Sequence, residues 1–500
     1  MDKIRVLQLG EENWIETYPV PEFMKWVYRG KMEASLGETY DLVFLDRNLR
    51  PEEVEPLFWA VRAHCLFVTD RVVLSETTAY IVKSRKGSVI PCGSIASFLA
   101  QDARNFYSGK RTRDKIYLKE IGIAQGFDGA VCWNGSCEVE LEGNFGENYQ
   151  QVVFWRNHMP IRSQRSVDVW LEYEKDPQVS VQLLVKQYAR DDEGDLQQQW
   201  VIDERQMQEV ICLQNTLSSG VLFFSLVASG SGRLQIRNLH CRNSRRGFGH
   251  FLPGGERFAT TNREEVFCYF DPGDLKPPLN VFFSDSEDGE GFGGYQQMRK
   301  LGCPFLLISE SRLGSGAGYL GSKEFEELIV AAIRKYMLEL GFTSQELVFS
   351  GMSLGAFGAM YYGCEFMPHG IVAGKPLANL GDVAVNERLK HPGGFPISLE
   401  ILKLHTNGLD LDAAASLNQR FWKRFEECYW GETQFILSYM LEDDYDARAY
   451  EGVLEHLNSY GARVSGKGIH GRHQDNTKEV LKWFDNQYQK LLERDYGRSR

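Results

Sequence analysis

One pentapeptide of this 500-residue chain combines residue types that can perform nucleophilic chemistry. Residues 351–355 read GMSLG, which fits the pattern Gly-x-Ser-x-Gly, with an apolar strand at 347–349 before it and small helical residues after it. In a nucleophile elbow the serine lies on a sharp, strained turn, and the glycines leave room where a Cβ would strike neighbouring backbone. The pattern predicts Ser353 as the nucleophile of an acyl-transfer reaction, and the alternative is a glycine-rich packing turn.

A serine nucleophile needs a base, and the base needs an acid that orients it. In the α/β-hydrolase topology the chain order is serine, acid, histidine, and the acid follows a late strand. The apolar run 435–440 is followed by four acids, Glu442, Asp443, Asp444 and Asp446. We favour Asp443 as the acid, with Asp444 and Glu442 as alternatives.

The base is expected in the loop after the last strand, which we assign to 463–465. That loop carries two histidines, His470 and His473. His473 is favoured because the sequence Asp-Asn-Thr at 475–477 is typical of a helix start, so His473 lies just before the final helix. His470 is then the neighbour that shapes the loop.

An oxyanion intermediate requires backbone N–H donors. One donor is predicted at Leu354, directly after the nucleophile. The second is predicted in the loop 284–294, which follows an early strand, with Asp285 as the donor. Several acids in this loop would repel an anionic acyl donor if the loop faces the site.

Two Gly-x-Gly-x-x-Gly sequences, at 289–294 and 316–321, match a dinucleotide fingerprint. The first lacks a long helix directly after it, and neither is followed by the required acid at the end of a second strand. Both are therefore interpreted as loops that shape the pocket. With ten scattered cysteines and no Cys-x-x-Cys, we predict no bound cofactor and no metal.

The elements that position these residues alternate between strand and helix from 256 to 500, which predicts an α/β-hydrolase-like catalytic domain. Residues 1–110 show the same alternation on a smaller scale without visible chemistry, so a small α/β scaffold domain is expected. The overall fold class is α/β.

Residues 111–255 instead show short strands with alternating apolar and polar side chains, which predicts an antiparallel β-sandwich. Such modules often bind carbohydrate, and exposed aromatic residues could stack on sugar rings. The candidates for that role are Trp155, Trp170 and Trp200, although a position in the core is the favoured interpretation of each one taken singly.

The charge balance excludes some function classes. Lysine and arginine number 56, aspartate and glutamate 68, and the net charge is −12 at pH 7. Such an acidic chain is poorly suited to binding nucleic acid or an anionic membrane. Because the sequence begins without an apolar leader and contains no run of ~20 apolar residues, we expect a cytoplasmic protein with reduced thiols.

Four segments together resemble a known family. They are GEENW at 10–14, GYLGSKEFE at 318–326, the elbow at 351–355 and GRHQDNT at 471–477. Over its whole length the chain resembles the second accessory Sec protein of Gram-positive bacteria.

That resemblance implies a cytoplasmic component, peripherally associated with the membrane translocase through its complex. Its implied partners are the first and third accessory Sec proteins, the accessory SecA ATPase and glycosylated serine-rich repeat adhesins. It further implies O-acetylation of N-acetylglucosamine on the adhesin, with Ser353 as nucleophile, His473 as base and an acid from 442–444. The acetyl donor is left open, and acetyl-CoA is one candidate.

Two other functions fit the sequence. The chain could be a non-catalytic scaffold of the translocation complex, or a free-standing serine carboxylesterase. The intact order serine, acid, histidine disfavours a dead site, and an esterase does not explain the two preceding domains.

Overall fold

A computed structural model describes residues 3–32, 39–106, 115–190, 194–251, 253–285, 290–314 and 316–498 of the chain. Its described residues form three hydrogen-bonded sheets of five, ten and eight strands, together with helices. The fold is mixed α/β. The domain boundaries at 110 and 255 stay a prediction.

The first sheet is entirely parallel, with strand order β2-β1-β3-β4-β5. Its central strands are apolar runs buried on both faces, as expected of a parallel sheet covered by helices. The strands are β1 Ile4–Leu9, β2 Met24–Arg29, β3 Leu42–Leu45, β4 Leu66–Thr69 and β5 Ser88–Ile90, and the helices are α1 Pro51–Ala60, α2 Glu76–Ser84 and α3 Ile95–Ser97.

The middle sheet is antiparallel. Its strands are β6 Lys115–Ile116, β7 Ile121–Ile123, β8 Ala130–Asn134, β9 Glu138–Trp155, β10 Met159–Ile161, β11 Ser166–Lys175, β12 Ser180–Ala189, β13 Leu196–Ile202, β14 Ile211–Gln214 and β15 Gly220–Asn243. In β12 buried and half-buried residues alternate, so one face packs into a core and the other faces outward.

The predicted β-sandwich is not confirmed, because these ten strands form one continuous hydrogen-bonded sheet. The predicted strands at 221–227 and 234–239 are a single strand, β15, which pairs with β12 near its start and β11 near its end. Its register against β9 shifts around Gly230, where an added Cβ would lie 2.0 Å from the carbonyl oxygen of Gln178.

The tryptophans proposed to stack on sugars are mostly inaccessible. Trp155 is only 2% exposed and Trp170 only 3%, so neither is available to a glycan. Trp170 lies instead beneath the guanidinium groups of Arg257 and Arg263. Trp200 is half-buried and packs against the core of the middle sheet.

The third sheet has the strand order β16-β17-β19-β18-β20-β21-β22-β23, with β17 antiparallel to its neighbours and the remaining pairs from β18 to β23 parallel. This order is that of an α/β-hydrolase-like sheet. The strands are β16 Glu256–Ala259, β17 Glu265–Asp271, β18 Leu279–Phe283, β19 Phe305–Glu310, β20 Leu347–Met352, β21 Gly370–Gly374, β22 Gln434–Met440 and β23 Arg463–Ile469.

Helices cover both faces of this sheet, and two hydrophobic clusters lie against it. The helices are α4 Tyr295–Lys300, α5 Lys323–Leu340, α6 Leu354–Phe366, α7 Leu380–Leu389, α8 Ile397–Thr406, α9 Leu411–Glu426, α10 Ala449–Asn458 and α11 Thr477–Tyr496. Within the described ranges, no helix has the length and apolar composition needed to cross a bilayer. Because β20 and β22 are parallel to β21 between them, the loops after β20, β21 and β22 meet at one edge.

Candidate active site

Ser353 lies on the sharp turn between β20 and α6. Its backbone has φ 51° and ψ −116°, a conformation that residues other than glycine rarely adopt. An added Cβ at Gly351 would lie 2.2 Å from the backbone of Gly355, and one at Gly355 would lie 2.3 Å from the carbonyl oxygen of Phe283. Both glycines are therefore required for the tight packing of the elbow.

His473 contacts Ser353 directly. The Nε2 atom of His473 lies 2.9 Å from Ser353 Oγ, within hydrogen-bond distance. His473 is 1% exposed and lies in the loop between β23 and α11, where the sequence placed it. His470 is different, because its side chain is exposed and its Nδ1 atom contacts Glu442 at 3.0 Å.

Asp443 is the acid that reaches the base, because its Oδ2 atom lies 2.9 Å from His473 Nδ1. The two alternative acids have other partners. Asp444 accepts the backbone N–H of His473 at 2.9 Å, and Glu442 accepts the backbone N–H of Gly471 in addition to its contact with His470. Hydrogen-bond contacts therefore run without a break from Ser353 through His473 to Asp443.

Asp443 stays ionised in this environment. Burial raises the pKa of its carboxyl, but the hydrogen bond from His473 and those from the backbone N–H groups of Tyr445 and Asp446 outweigh burial and lower it below the ordinary value. A carboxylate at Nδ1 fixes the imidazole with Nδ1–H as donor, which leaves Nε2 able to accept the serine proton.

Two residues at the site were not found from the sequence. The ring of Tyr445 stacks on the imidazole of His473, with centroids 4.3 Å apart and an interplanar angle of 11°. The side chain of Lys375, which follows β21, reaches the loop that carries His473. Neither has a local sequence motif, because both contacts join distant parts of the chain.

A cavity of about 270 Å³ opens beside the nucleophile. Ser353, His473 and Asp285 line it, together with Phe282, Gly293, Gly294, Gln297, Met352, Lys375, Gln474, Thr477 and Leu481. Leu354 is the first residue of α6, and the first N–H groups of a helix have no acceptor within it. Of the two predicted oxyanion donors, Leu354 thus follows the serine directly and Asp285 lines the same cavity, and their role stays a prediction. Residues 286–289 of the loop after Asp285 lie outside the described residues.

In the glycine-rich loop at 316–321, two backbone N–H groups that could face a phosphate already have an acceptor within the chain. The N–H groups of Ala317 and Tyr319 both donate to the carboxylate of Glu310, at 2.9 and 2.6 Å. The other fingerprint includes Gly289, which lies outside the described residues, and the helix after it, α4, has only six residues.

The fold and the site define an α/β-hydrolase-like protein with serine, histidine and aspartate hydrogen-bonded in series. A family model described as accessory Sec system GspB-transporter matches residues 4–498 of the chain. The chain belongs to this family, and the predicted resemblance to the second accessory Sec protein is confirmed.

Relatives support the same assignment over the full length. An accessory Sec system protein of Streptococcus gordonii is 35% identical over 510 residues, which cover 100% of both chains. Its counterpart in Staphylococcus aureus is 35% identical over 385 residues, or 77% of this chain and 74% of the relative. A solved chain of the Glycosylation Associate Protein (Gap123) complex from Streptococcus agalactiae is 33% identical, with a TM-score of 0.89 over 100% of this chain and 99% of that chain.

Proposed function

We propose that this chain is a serine-dependent O-acetyltransferase of accessory Sec export. It would transfer an acetyl group to N-acetylglucosamine on glycosylated serine-rich repeat adhesins and also support their transport. The observation that carries the proposal is the hydrogen-bonded series from Ser353 Oγ through His473 to Asp443, beside a cavity at the strand ends. Membership of the accessory Sec family supports the choice of substrate class.

The first half-reaction acylates the enzyme. Ser353 Oγ attacks the carbonyl carbon of the acetyl donor while His473 Nε2 takes the hydroxyl proton. The oxyanion faces the N–H groups of Leu354 and Asp285. When the tetrahedral intermediate collapses, the bond to the leaving group breaks and His473 protonates that group. We propose acetyl-CoA as donor, in which case the leaving group is the CoA thiol.

The second half-reaction transfers the acetyl group. A sugar hydroxyl attacks the acetyl-Ser353 carbonyl, His473 takes its proton, and the ester bond to Ser353 breaks. His473 then returns the proton to Ser353 Oγ, so the enzyme is restored. Water in place of the sugar would give hydrolysis, and the access of water to the cavity decides between transfer and hydrolysis.

We further propose a scaffolding function within a complex of the first and third accessory Sec proteins and the accessory SecA ATPase, through which the chain associates with the membrane. The full-length similarity to a chain of the Gap123 complex favours it. A free-standing esterase would act without such partners, and co-purification of the partner chains distinguishes the two.

The test is Ser353→Ala in the native bacterium, with Ser459→Ala as the control at an exposed serine of the same region. Mass spectrometry measures acetyl on the adhesin glycan, and immunoblotting measures exported adhesin. Loss of acetyl with continued export supports catalysis at Ser353 and a separate scaffolding function. If both acetylation and export are unchanged in Ser353→Ala, the site assignment is wrong and the chain is chiefly a structural partner.

A further inference from the structure

Lys375 is a buried lysine whose ammonium group contacts the base-bearing loop at three places. It is 4% exposed. Its Nζ atom donates to the carbonyl oxygen of His473 at 2.5 Å, to that of Asp475 at 2.9 Å and to Thr477 Oγ1 at 3.0 Å. An ammonium group has three N–H donors, and here all three have acceptors between residues 473 and 477, at the end of the loop and the first residue of α11.

The backbone around Lys375 joins the other two parts of the site. The N–H of Ser353 donates to the carbonyl oxygen of Gly374 at 2.9 Å, and the N–H of Lys375 donates to the carbonyl oxygen of Ser438 in β22 at 2.7 Å. Residues 374 and 375 therefore contact the nucleophile elbow and the strand that leads to the acid, while the Lys375 side chain contacts the loop of the base.

The backbone of Lys375 is itself strained, with φ 49°. A non-glycine residue in this region is strained and persists only where surrounding contacts hold it there. Strained residues of this kind cluster at functional sites. Ser353, with φ 51°, and Asn476, with φ 48°, lie at the same edge.

We propose that Lys375 is the positioning residue of the acyl-transfer site, holding the loop of His473 so that Nε2 stays within hydrogen-bond distance of Ser353. It acts through His473 rather than on the substrate. Although it lines the cavity, its three protons are already donated to loop oxygens, so it is not arranged to bind an anionic acyl donor. This inference rests on the proposed function.

The charges around Lys375 are consistent with that role. Burial lowers the pKa of its ammonium group, and the carboxylates of Asp443, Asp285 and Asp475 oppose that effect. A neutral side chain of similar length would fill the space but would leave the two carbonyl oxygens without these donors.

The experiment uses the purified full chain and p-nitrophenyl acetate as the acyl donor. Lys375→Met is expected to lower kcat by about 10- to 100-fold, the cost of a misplaced catalytic group, with KM within about twofold of wild type. The rate of Ser353 labelling by a fluorophosphonate probe should fall by a similar factor, because labelling also requires His473 as base. Lys467→Met, at a half-exposed lysine of β23, is the matched control and should behave as wild type.

A folded Lys375→Met variant with unchanged kcat would overturn the proposal. So would a rise in KM at constant kcat, because that result assigns Lys375 to substrate binding. If Lys375→Met does not fold, Thr477→Val removes one of the three acceptors, and an unchanged kcat in that variant overturns the proposal equally. If the wild-type chain turns over p-nitrophenyl acetate no faster than Ser353→Ala does, that result contradicts the proposed function instead.

Discussion

His473 and His240 are both almost fully buried histidines with a partner at each ring nitrogen, yet their partners differ. His473 has a carboxylate at Nδ1 and the Ser353 hydroxyl at Nε2. His240, in β15, has Glu290 at Nδ1 and Glu172 at Nε2, at 2.6 and 2.7 Å. A carboxylate accepts and a hydroxyl both donates and accepts, so only His473 can hold a proton on one nitrogen and accept at the other.

The consequence for His240 is that its protonated form is favoured. Burial lowers its pKa, but the carboxylates of Glu290 and Glu172 outweigh that effect and raise the pKa above the ordinary value of histidine. Arg242 pairs with Glu290 and Glu265 beside it, so the cluster connects the middle sheet to residues next to the third sheet. Burial and charged neighbours alone therefore do not identify a base, whereas the identity of the partner at each nitrogen does.

The largest effect expected from this comparison is at His473. His473→Gln removes the base and should lower the acyl-transfer rate by roughly 10⁴-fold or more, because the loss of one member of such a triad disables the whole unit. Steady-state kinetics with p-nitrophenyl acetate measures the loss. His240→Gln is the matched control, and its rate per folded molecule should stay within an order of magnitude of wild type.

Asp443→Asn should lower the rate by about 10⁴-fold, because an amide can stabilise the wrong tautomer of His473. Circular dichroism of the variant should match that of wild type. If Asp443→Asn stayed nearly active and Asp444→Asn instead showed a rate loss of this size, the acid would be Asp444.

His240→Gln should act on stability. It leaves Glu172 buried without its cationic partner and removes one cation from Glu290, which keeps Arg242. Breaking a buried ion pair costs about 3–5 kcal/mol of unfolding free energy. Urea titrations of wild type and variant measure the difference. A variant as stable as wild type would show that His240 is not the charged partner of these two carboxylates.

The stability difference should also depend on pH. Since the folded pKa of His240 is raised, its stabilising contribution is fully present below the unfolded histidine pKa and is lost as the pH rises through the folded pKa. Unfolding free energies of wild type and His240→Gln should therefore converge at alkaline pH. A difference that grows with pH would contradict the charged state proposed for His240.

The smallest effect is expected at Glu442. Glu442→Gln changes an exposed pair with His470, and exposed pairs contribute little. Both the rate and the thermal midpoint should match wild type. A rate loss comparable with that of Asp443→Asn would place Glu442, rather than Asp443, in the series with His473.

Ser353 and His473, which lie within hydrogen-bond distance of each other, could be singled out from the sequence because their signals are local. The glycines around Ser353 and the apolar strand before it belong to one stretch of chain, and His473 directly precedes a helix start. The acid was harder to predict from the sequence, because four acidic residues follow β22 within a short stretch. Only their three-dimensional contacts separate them, with Asp446 directed to the backbone of Ala378 and Asn379.

Other features lay beyond sequence reasoning for the same physical reason. Lys375 and Tyr445 act through contacts with a loop that is distant in sequence, and no period or motif encodes such a contact. In the middle sheet, Gly230 and its neighbours resemble a turn between two strands. The structure instead continues the strand through an irregular stretch of β15, because its pairing with β9 extends past Gly230 to Ile236.

The most direct test of the central claim is to trap the acyl-enzyme. The purified chain would be quenched in acid during turnover of p-nitrophenyl acetate, digested and analysed by tandem mass spectrometry. We expect an acetyl group on Ser353 that is present in wild type and absent from His473→Gln quenched at the same time. Turnover with no acetyl on Ser353, or with the acetyl group on another residue, would contradict it.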